Sequence, residues 1–316
     1  MKKVIITGGA GFIGHHFVNY ILENTKADIV VVDNLCNGEF ERINFNERVK
    51  LINCSASEIK KYEDHLKDSD YIFHMACVQI SKSSDIPHID LETNAVSTLN
   101  ILEYLKNNKT SLKRFVYTSS CSIYGQSEIL PITETFSPNI SSIYAATKYL
   151  GENYTNLYHK LYKIPISIIR YSNVYGPGQT PEKKVCGVIG KFIYETLNDI
   201  PIVVYGNGEH KRDYSYIDDV IESTYIISKT EKTLGETYNI SSNTNYSVND
   251  IVKIIKSNLY QTKVNFKPPR IIDNINNRLI SFDKLNRDTG WAPIHSIENG
   301  IEKTIQYFKI KMKKNK

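Results

Sequence analysis

The sequence predicts an α/β fold, a doubly wound parallel sheet followed by a smaller α/β lobe toward the C-terminus. Three observations lead there. Short runs rich in Val and Ile alternate with helical patterns through the first half of the 316 residues. Strands of that kind, apolar on both faces, belong to parallel sheets covered by helices on either side. A glycine cluster, Gly8 to Gly14, stands between the first strand and the first helix. Beyond Tyr171 the alternation stops, and loops such as Tyr175-Gly176-Pro177-Gly178 and Tyr205-Gly206-Asn207-Gly208 take over.

Taken in order, the expected strands are Val4–Thr7, Ile29–Val32, Val49–Ile52, Tyr71–Met75, Phe115–Thr118 and Ile166–Arg170. Helical patterns fill the intervals at Phe12–Glu23, Glu58–Leu66, Leu91–Lys106 and Tyr144–Tyr162. The first lobe is expected over 1–171, with a return segment at about 214–232 that contains the helix after Ile217-Asp218-Asp219. Residues 172–213 and 233–316 are expected to form the second lobe, which would hold a substrate. A sheet of this kind binds ligands beyond the carboxyl ends of its strands, where the strand order reverses.

Composition excludes several classes. Hydrophobic content of 41% and charged content of 23% are those of a globular chain. No stretch approaches the roughly 18 apolar residues of a membrane span, and the run Val4-Ile5-Ile6 is too short for a signal peptide. The five cysteines, Cys36, Cys54, Cys77, Cys121 and Cys186, are odd in number and dispersed. They suggest a reducing, cytoplasmic setting with neither disulfide framework nor metal site. Five lysines in the last eight residues equal the whole +5 charge excess. This tail is expected to be frayed and solvated, and the near-neutral body points to no nucleic-acid or membrane partner.

Gly8-Gly9-Ala10-Gly11-Phe12-Ile13-Gly14 fits a dinucleotide-binding turn in two registers, Gly9-x-Gly11-x-x-Gly14 and Gly8-x-x-Gly11-x-x-Gly14. The early glycines allow a tight turn and close approach to a pyrophosphate, the last allows helix and strand to pack closely, and the helix N-terminus supplies N–H groups. Asp33 ends the second strand. A carboxylate there accepts hydrogen bonds from ribose hydroxyls and repels a 2′-phosphate, which favours NAD over NADP.

Twenty-four residues after Ser120 comes Tyr144-Ala145-Ala146-Thr147-Lys148. Tyr144 and Lys148 lie one helical turn apart and share a face. Together with Ser120 they are the parts needed to move a hydride to or from an alcohol carbon. The tyrosine takes the alcohol proton, the lysine is expected to lower a phenol pKa ordinarily about 10, and the serine hydrogen-bonds the same oxygen. Alone the pair means little in a chain with 22 tyrosines. Its position after the fifth strand, which ends in Thr118-Ser119-Ser120, puts it at the mouth of the sheet.

These residues, with Val31-Val32-Asp33-Asn34-Leu35, Phe73-His74-Met75-Ala76, Ser120-Cys121-Ser122-Ile123-Tyr124-Gly125, Asn173-Val174-Tyr175-Gly176-Pro177, Arg212-Asp213-Tyr214 and Leu285 to Trp291, span nearly the whole chain. In them it resembles an extended short-chain dehydrogenase/reductase of the NAD-dependent nucleotide-sugar epimerase/dehydratase type, similar to UDP-glucose 4-epimerases. The resemblance implies a Rossmann fold, NAD as cofactor, a homodimer and a place in polysaccharide biosynthesis. It implies catalytic roles for Ser120, Tyr144 and Lys148. Cofactor contacts are implied at Gly8, Gly11, Phe12, Ile13, Gly14, Asp33, Asn34, Ala76, Asn94, Tyr144 and Lys148. Substrate contacts are implied at Ser83, Ser120 and Asn173, and at Arg212 and Arg278, whose guanidinium forks would grip a diphosphate.

Three departures from the family pattern narrow the reaction. Dehydratases carry an Asp-Glu pair after the active-site serine or threonine, where this chain has Cys121 and Ser122, neither a suitable acid or base for dehydration. Cys54 replaces an aspartate that bonds adenine, and Val78 replaces the lysine found near the substrate in galactose-type members of the family. Ile280 stands near a position that limits bulk at sugar carbon 2. The expected activity is therefore a nucleotide-sugar 4-epimerase acting on a UDP-hexose or UDP-N-acetylhexosamine. A 4-keto-sugar reductase, a 4-dehydrogenase, a decarboxylase and a non-catalytic NAD sensor are the alternatives.

Overall fold

The computed structural model describes residues 1–181, 186–269 and 275–314. Seven strands form one parallel sheet: β1 (Lys3–Thr7), β2 (Asp28–Asp33), β3 (Val49–Asn53), β4 (Tyr71–His74), β5 (Arg114–Ser120), β6 (Ile166–Tyr171) and a later strand, Thr237–Ile240. Their interiors are buried on both faces because each face meets a layer of helices. One layer includes α1 (Phe12–Asn24); α2 (Glu63–Lys67), α3 (Ile80–Ser83), α4 (Pro87–Leu91), α5 (Ser97–Asn107) and α6 (Ile143–Tyr162) follow in the chain. The order across the sheet is Thr237–Ile240, β6, β5, β4, β1, β2, β3. The order reverses between β1 and β4, and the loops after those strands frame the cleft.

Two expectations need adjusting here. The helix expected over Leu91–Lys106 is divided, with a wide turn of π-helical bonding at Glu92–Val96 between α4 and α5. The hydroxyls of Ser97 and Thr98 donate to the carbonyls of Thr93 and Asn94 and compete with the regular ladder. The stretch Glu58–Leu66 likewise becomes a short 3₁₀ turn, Ile59–Lys61, followed by α2.

Beyond β6 come β7 (Asn173–Tyr175), α7 (Val188–Leu197), β8 (Ile202–Tyr205), β9 (Lys211–Tyr216) and α8 (Ile217–Lys229), then β10 (Thr237–Ile240), β11 (Asn245–Ser247), α9 (Val248–Asn258), β12 (Val264–Lys267), α10 (Asp283–Thr289) and α11 (Ile297–Lys314). Two small sheets, β11-β9-β7 and β12-β8, carry this part. Helix α8 packs on α1, as a return to the first lobe requires. The large sheet also takes in β10, which pairs with β6 through Thr237↔Ile168 to Ile240↔Tyr171. The segment contributed to the first sheet therefore runs past 232, because the edge of β6 needs a hydrogen-bonded neighbour.

The C-terminal lysines sit on a helix rather than a frayed tail, as far as Lys314; Lys316 lies outside the described residues. Ile297, Ile301, Ile305 and Phe308 are buried at helical spacing and hold α11 to the body, while Lys309 and Lys313 are exposed. Among the described residues no helix is long and apolar enough to cross a membrane.

Candidate active site

The glycine turn is built for close contact. Gly8 has φ +70°, and a Cβ there would stand 2.7 Å from the Ala76 backbone at the end of β4. A Cβ on Gly14 would meet the Gly8 carbonyl oxygen at 2.1 Å, so the turn and α1 approach as only glycine permits. Gly11 opens α1 without a side-chain cap, which leaves Phe12, Ile13 and Gly14 at a bare helix N-terminus with its positive dipole end. Asp33, nearly buried, accepts the N–H of Ala10 at 3.0 Å and of Leu35 at 2.8 Å, tying β2 to the glycine turn. Burial raises its pKa, and those two hydrogen bonds pull it back down. Leu35 has φ +57°, and Asn34 and the thiol-bearing Cys36 turn outward beyond it.

Ser120 ends β5 and caps a short turn, Cys121–Tyr124, by accepting the N–H of Ser122 at 3.1 Å. Tyr144 begins α6, whose first turn is capped by Ser142 accepting from Ala145. The two come close enough for the Ser120 hydroxyl to favour the ionised form of the Tyr144 phenol. Lys148, one turn on, is buried, and its ammonium has no hydrogen-bond partner and lies 4.9 Å from the Tyr117 ring centroid. Burial pushes the Tyr144 phenol up, and the Ser120 hydroxyl is what opposes it. Burial also lowers the Lys148 pKa, against the attraction of Cys77, Asp90 and Glu152.

A glycine cradle closed to any Cβ, a bare helix N-terminus and a buried ammonium without a partner fit a dinucleotide: the N-terminus of α1 would hold its phosphates and Lys148 would donate to its hydroxyls. Asn94 is different. Its carboxamide oxygen accepts the Val78 N–H at 3.1 Å, and its amide donates to Asp90 at 2.9 Å and Thr147 at 3.0 Å. Fully buried with both donors spent, it ties α4, α6 and the loop after β4 together, and its carboxamide oxygen keeps a second lone pair. Cys54 also faces inward, in the apolar cluster with Val30, Val32 and Tyr62.

The second part contributes cations. Arg278 is buried, donates to the Gly125 carbonyl at 3.2 Å and leaves its Nε unpartnered. Burial, and then the positive charge of Arg212, lower its pKa to about 10. Backbone pairing of Arg278 with Lys211 brings the two guanidinium groups together, an arrangement that an anion relieves. Asn173 starts β7 and donates to the Asp213 carbonyl at 2.8 Å. Ser83 is buried with an unpartnered hydroxyl. Ile280 is wholly buried with Cys121, Ile123 and Ile132. Cys121 turns away from the cleft too, its thiol donating to the Arg170 carbonyl at 3.3 Å and pushed up by burial.

Asp213 is the residue whose character sequence reasoning missed. It is fully buried, accepts the N–H and hydroxyl of Ser242 at 2.9 and 3.1 Å, and burial raises its pKa to about 7. Its place beside Arg212 in Arg212-Asp213-Tyr214 was the available signal.

Similarity to known proteins agrees with this geometry. A Methanocaldococcus jannaschii protein, named only provisionally as a UDP-glucose 4-epimerase, is 32% identical over 97% of this chain and 98% of its own length. The dTDP-glucose 4,6-dehydratase of Salmonella typhimurium is 30% identical over 97% and 92%. The crystal structure of Thermotoga maritima UDP-glucose 4-epimerase with UDP-glucose superposes with a TM-score of 0.90, at 30% identity over 98% of this chain and 99% of that one. Residues 4–241 match the NAD dependent epimerase/dehydratase family, and the chain belongs to that family and uses NAD.

Proposed function

We propose that the chain is a nucleotide-sugar 4-epimerase, acting on a UDP-hexose or UDP-N-acetylhexosamine through transient oxidation at sugar carbon 4. One observation carries the choice over dehydration. The Ser120, Tyr144 and Lys148 set is complete, but the two residues after Ser120 offer no acid-base pair, since Cys121 is turned into the core and Ser122 is a hydroxyl. Bound NAD supplies the hydride acceptor and, on the return, the donor. Tyr144 accepts the proton of the 4-hydroxyl and later gives it back, Ser120 holds the same oxygen, and the Lys148 charge favours the phenolate. Arg212, Arg278 and Asn173 hold the nucleotide diphosphate, so the 4-keto sugar is free to present its other face.

The test is incubation of the purified protein with UDP-hexoses and UDP-N-acetylhexosamines without added cofactor. A 4-epimer is expected. A product with altered mass, or turnover only when NADH or NADPH is supplied, would point to a dehydratase or reductase instead. A homodimer belongs to the same proposal: Ile143, Leu150 and Leu157 recur every seven residues along exposed α6, with Leu161 beside them. Leu157→Glu should convert the dimer to monomer in analytical ultracentrifugation.

A further inference from the structure

We propose that Lys82 and Asn37 form a latch across the mouth of the NAD site that slows release of the bound dinucleotide. The argument starts from topology. Strands β2 and β4 pair with β1 from opposite sides, so their ends lie roughly 9–10 Å apart with the glycine turn between them. The loop after β2 leans on that turn from one side. A Cβ on Gly38 would stand 2.9 Å from the Ala10 Cβ, and the Glu39 N–H donates to the Ala10 carbonyl at 3.0 Å. The chain after β4 leans on it from the other, with Ala76 against Gly8.

The two sides also touch each other. The Lys82 ammonium, on α3, donates to the side-chain oxygen of Asn37 at 3.2 Å. The strands that carry these loops flank β1, whose glycine turn, Gly8–Gly14, is where the pyrophosphate of a dinucleotide would lie. The base of the Asn37 loop is fixed separately. Arg42 pairs with Glu39 and donates to the Gly178 carbonyl, which anchors the loop to the second part of the chain. The tip is held more lightly, by Lys82 and by a 3.5 Å contact from the Asn37 amide to the Cys36 sulfur. A fixed base with a tip closed by one charge-assisted hydrogen bond is the construction of a latch. Sequence patterns did not single out either residue.

The inference deepens the proposed function, because an epimerase has to keep its NAD through both hydride steps, but its readout is cofactor release. Holoprotein carrying labelled NAD is chased with excess unlabelled NAD, and the loss of label is followed. Lys82→Met and Asn37→Ala are each expected to speed release on the order of tenfold, the scale of one charge-assisted hydrogen bond. The double variant should release no faster than the faster single, because both remove the same contact. Release at the wild-type rate in either single variant overturns the latch. So does a double variant whose acceleration is the product of the two singles, since each residue would then touch NAD on its own. Either result leaves the epimerase proposal standing, and a lack of epimerisation with coupled release rates does the reverse.

Discussion

Asp213→Asn should stabilise the protein at neutral and alkaline pH and leave it unchanged in acid. Asp213 is fully buried between β7 and the Ser242 loop, and burial lifts its carboxyl from the ordinary 3.8 to about 7 despite the hydrogen bonds from Ser242. A carboxyl whose folded-state pKa is raised favours the folded state fully while it is protonated in both states. That contribution is lost as pH rises from the unfolded value through the folded one. At about 1.4 kcal/mol per pH unit, the window from roughly pH 4 to pH 7 is worth on the order of 4 kcal/mol. Asparagine keeps the shape and the acceptor oxygen but cannot ionise. The assay is urea unfolding of both proteins in one buffer series from about pH 4.5 to pH 8.5. The variant's advantage should grow across the window and level off above about pH 7. A difference that stays constant with pH would refute the reasoning, since the other carboxyl groups cancel in the comparison.

Tyr144→Phe should retain NAD yet lose about 10²- to 10⁴-fold in turnover, the usual worth of a positioned acid-base group, as steady-state rates on the substrate found by screening would show. Gly14→Ala places a methyl group 2.1 Å from the Gly8 carbonyl oxygen, so NAD binding measured by calorimetry should be abolished, with a stability loss of about 1–3 kcal/mol or more. Arg278→Met removes a buried guanidinium with an unpartnered Nε, so it should raise the thermal midpoint of the substrate-free protein while weakening UDP binding at least tenfold. Lys148→Met likewise removes a buried ammonium without a partner and should raise the thermal midpoint in the absence of NAD while abolishing turnover.

The strands were readable because burial on two faces favours runs of Val and Ile, as in Ile5-Ile6 and Val30-Val31-Val32. The glycine turn was readable because steric closure leaves no other residue possible at Gly8 and Gly14. Strand β10 was not, since Thr237–Ile240 looks like any short strand and only its partner β6 fixes its place. The internal bonds of Asn94 were not readable for a related reason: its partners Val78, Asp90 and Thr147 come from three separate parts of the chain. The contact between Lys82 and Asn37 depends on loop conformation, including the positive φ of Leu35, which no periodicity encodes.

Ser120 and Tyr144 could be placed together from spacing because one ends a strand and the other starts the next helix; their electrostatics could not. Spacing sets Lys148 one turn from Tyr144, yet burial makes both charged forms unfavourable, raising the phenol and lowering the ammonium. The nearby Ser120 hydroxyl pulls the phenol the other way but does not reverse that balance. In the proposed mechanism the phenolate form of Tyr144 would be favoured by further positive charge in the cleft, which an oxidised dinucleotide would carry on its nicotinamide ring. Under the proposed function, Tyr144 would then become a competent base when the hydride acceptor is in place. The same burial that makes the site costly without its cofactor ties proton removal to the presence of somewhere for the hydride to go.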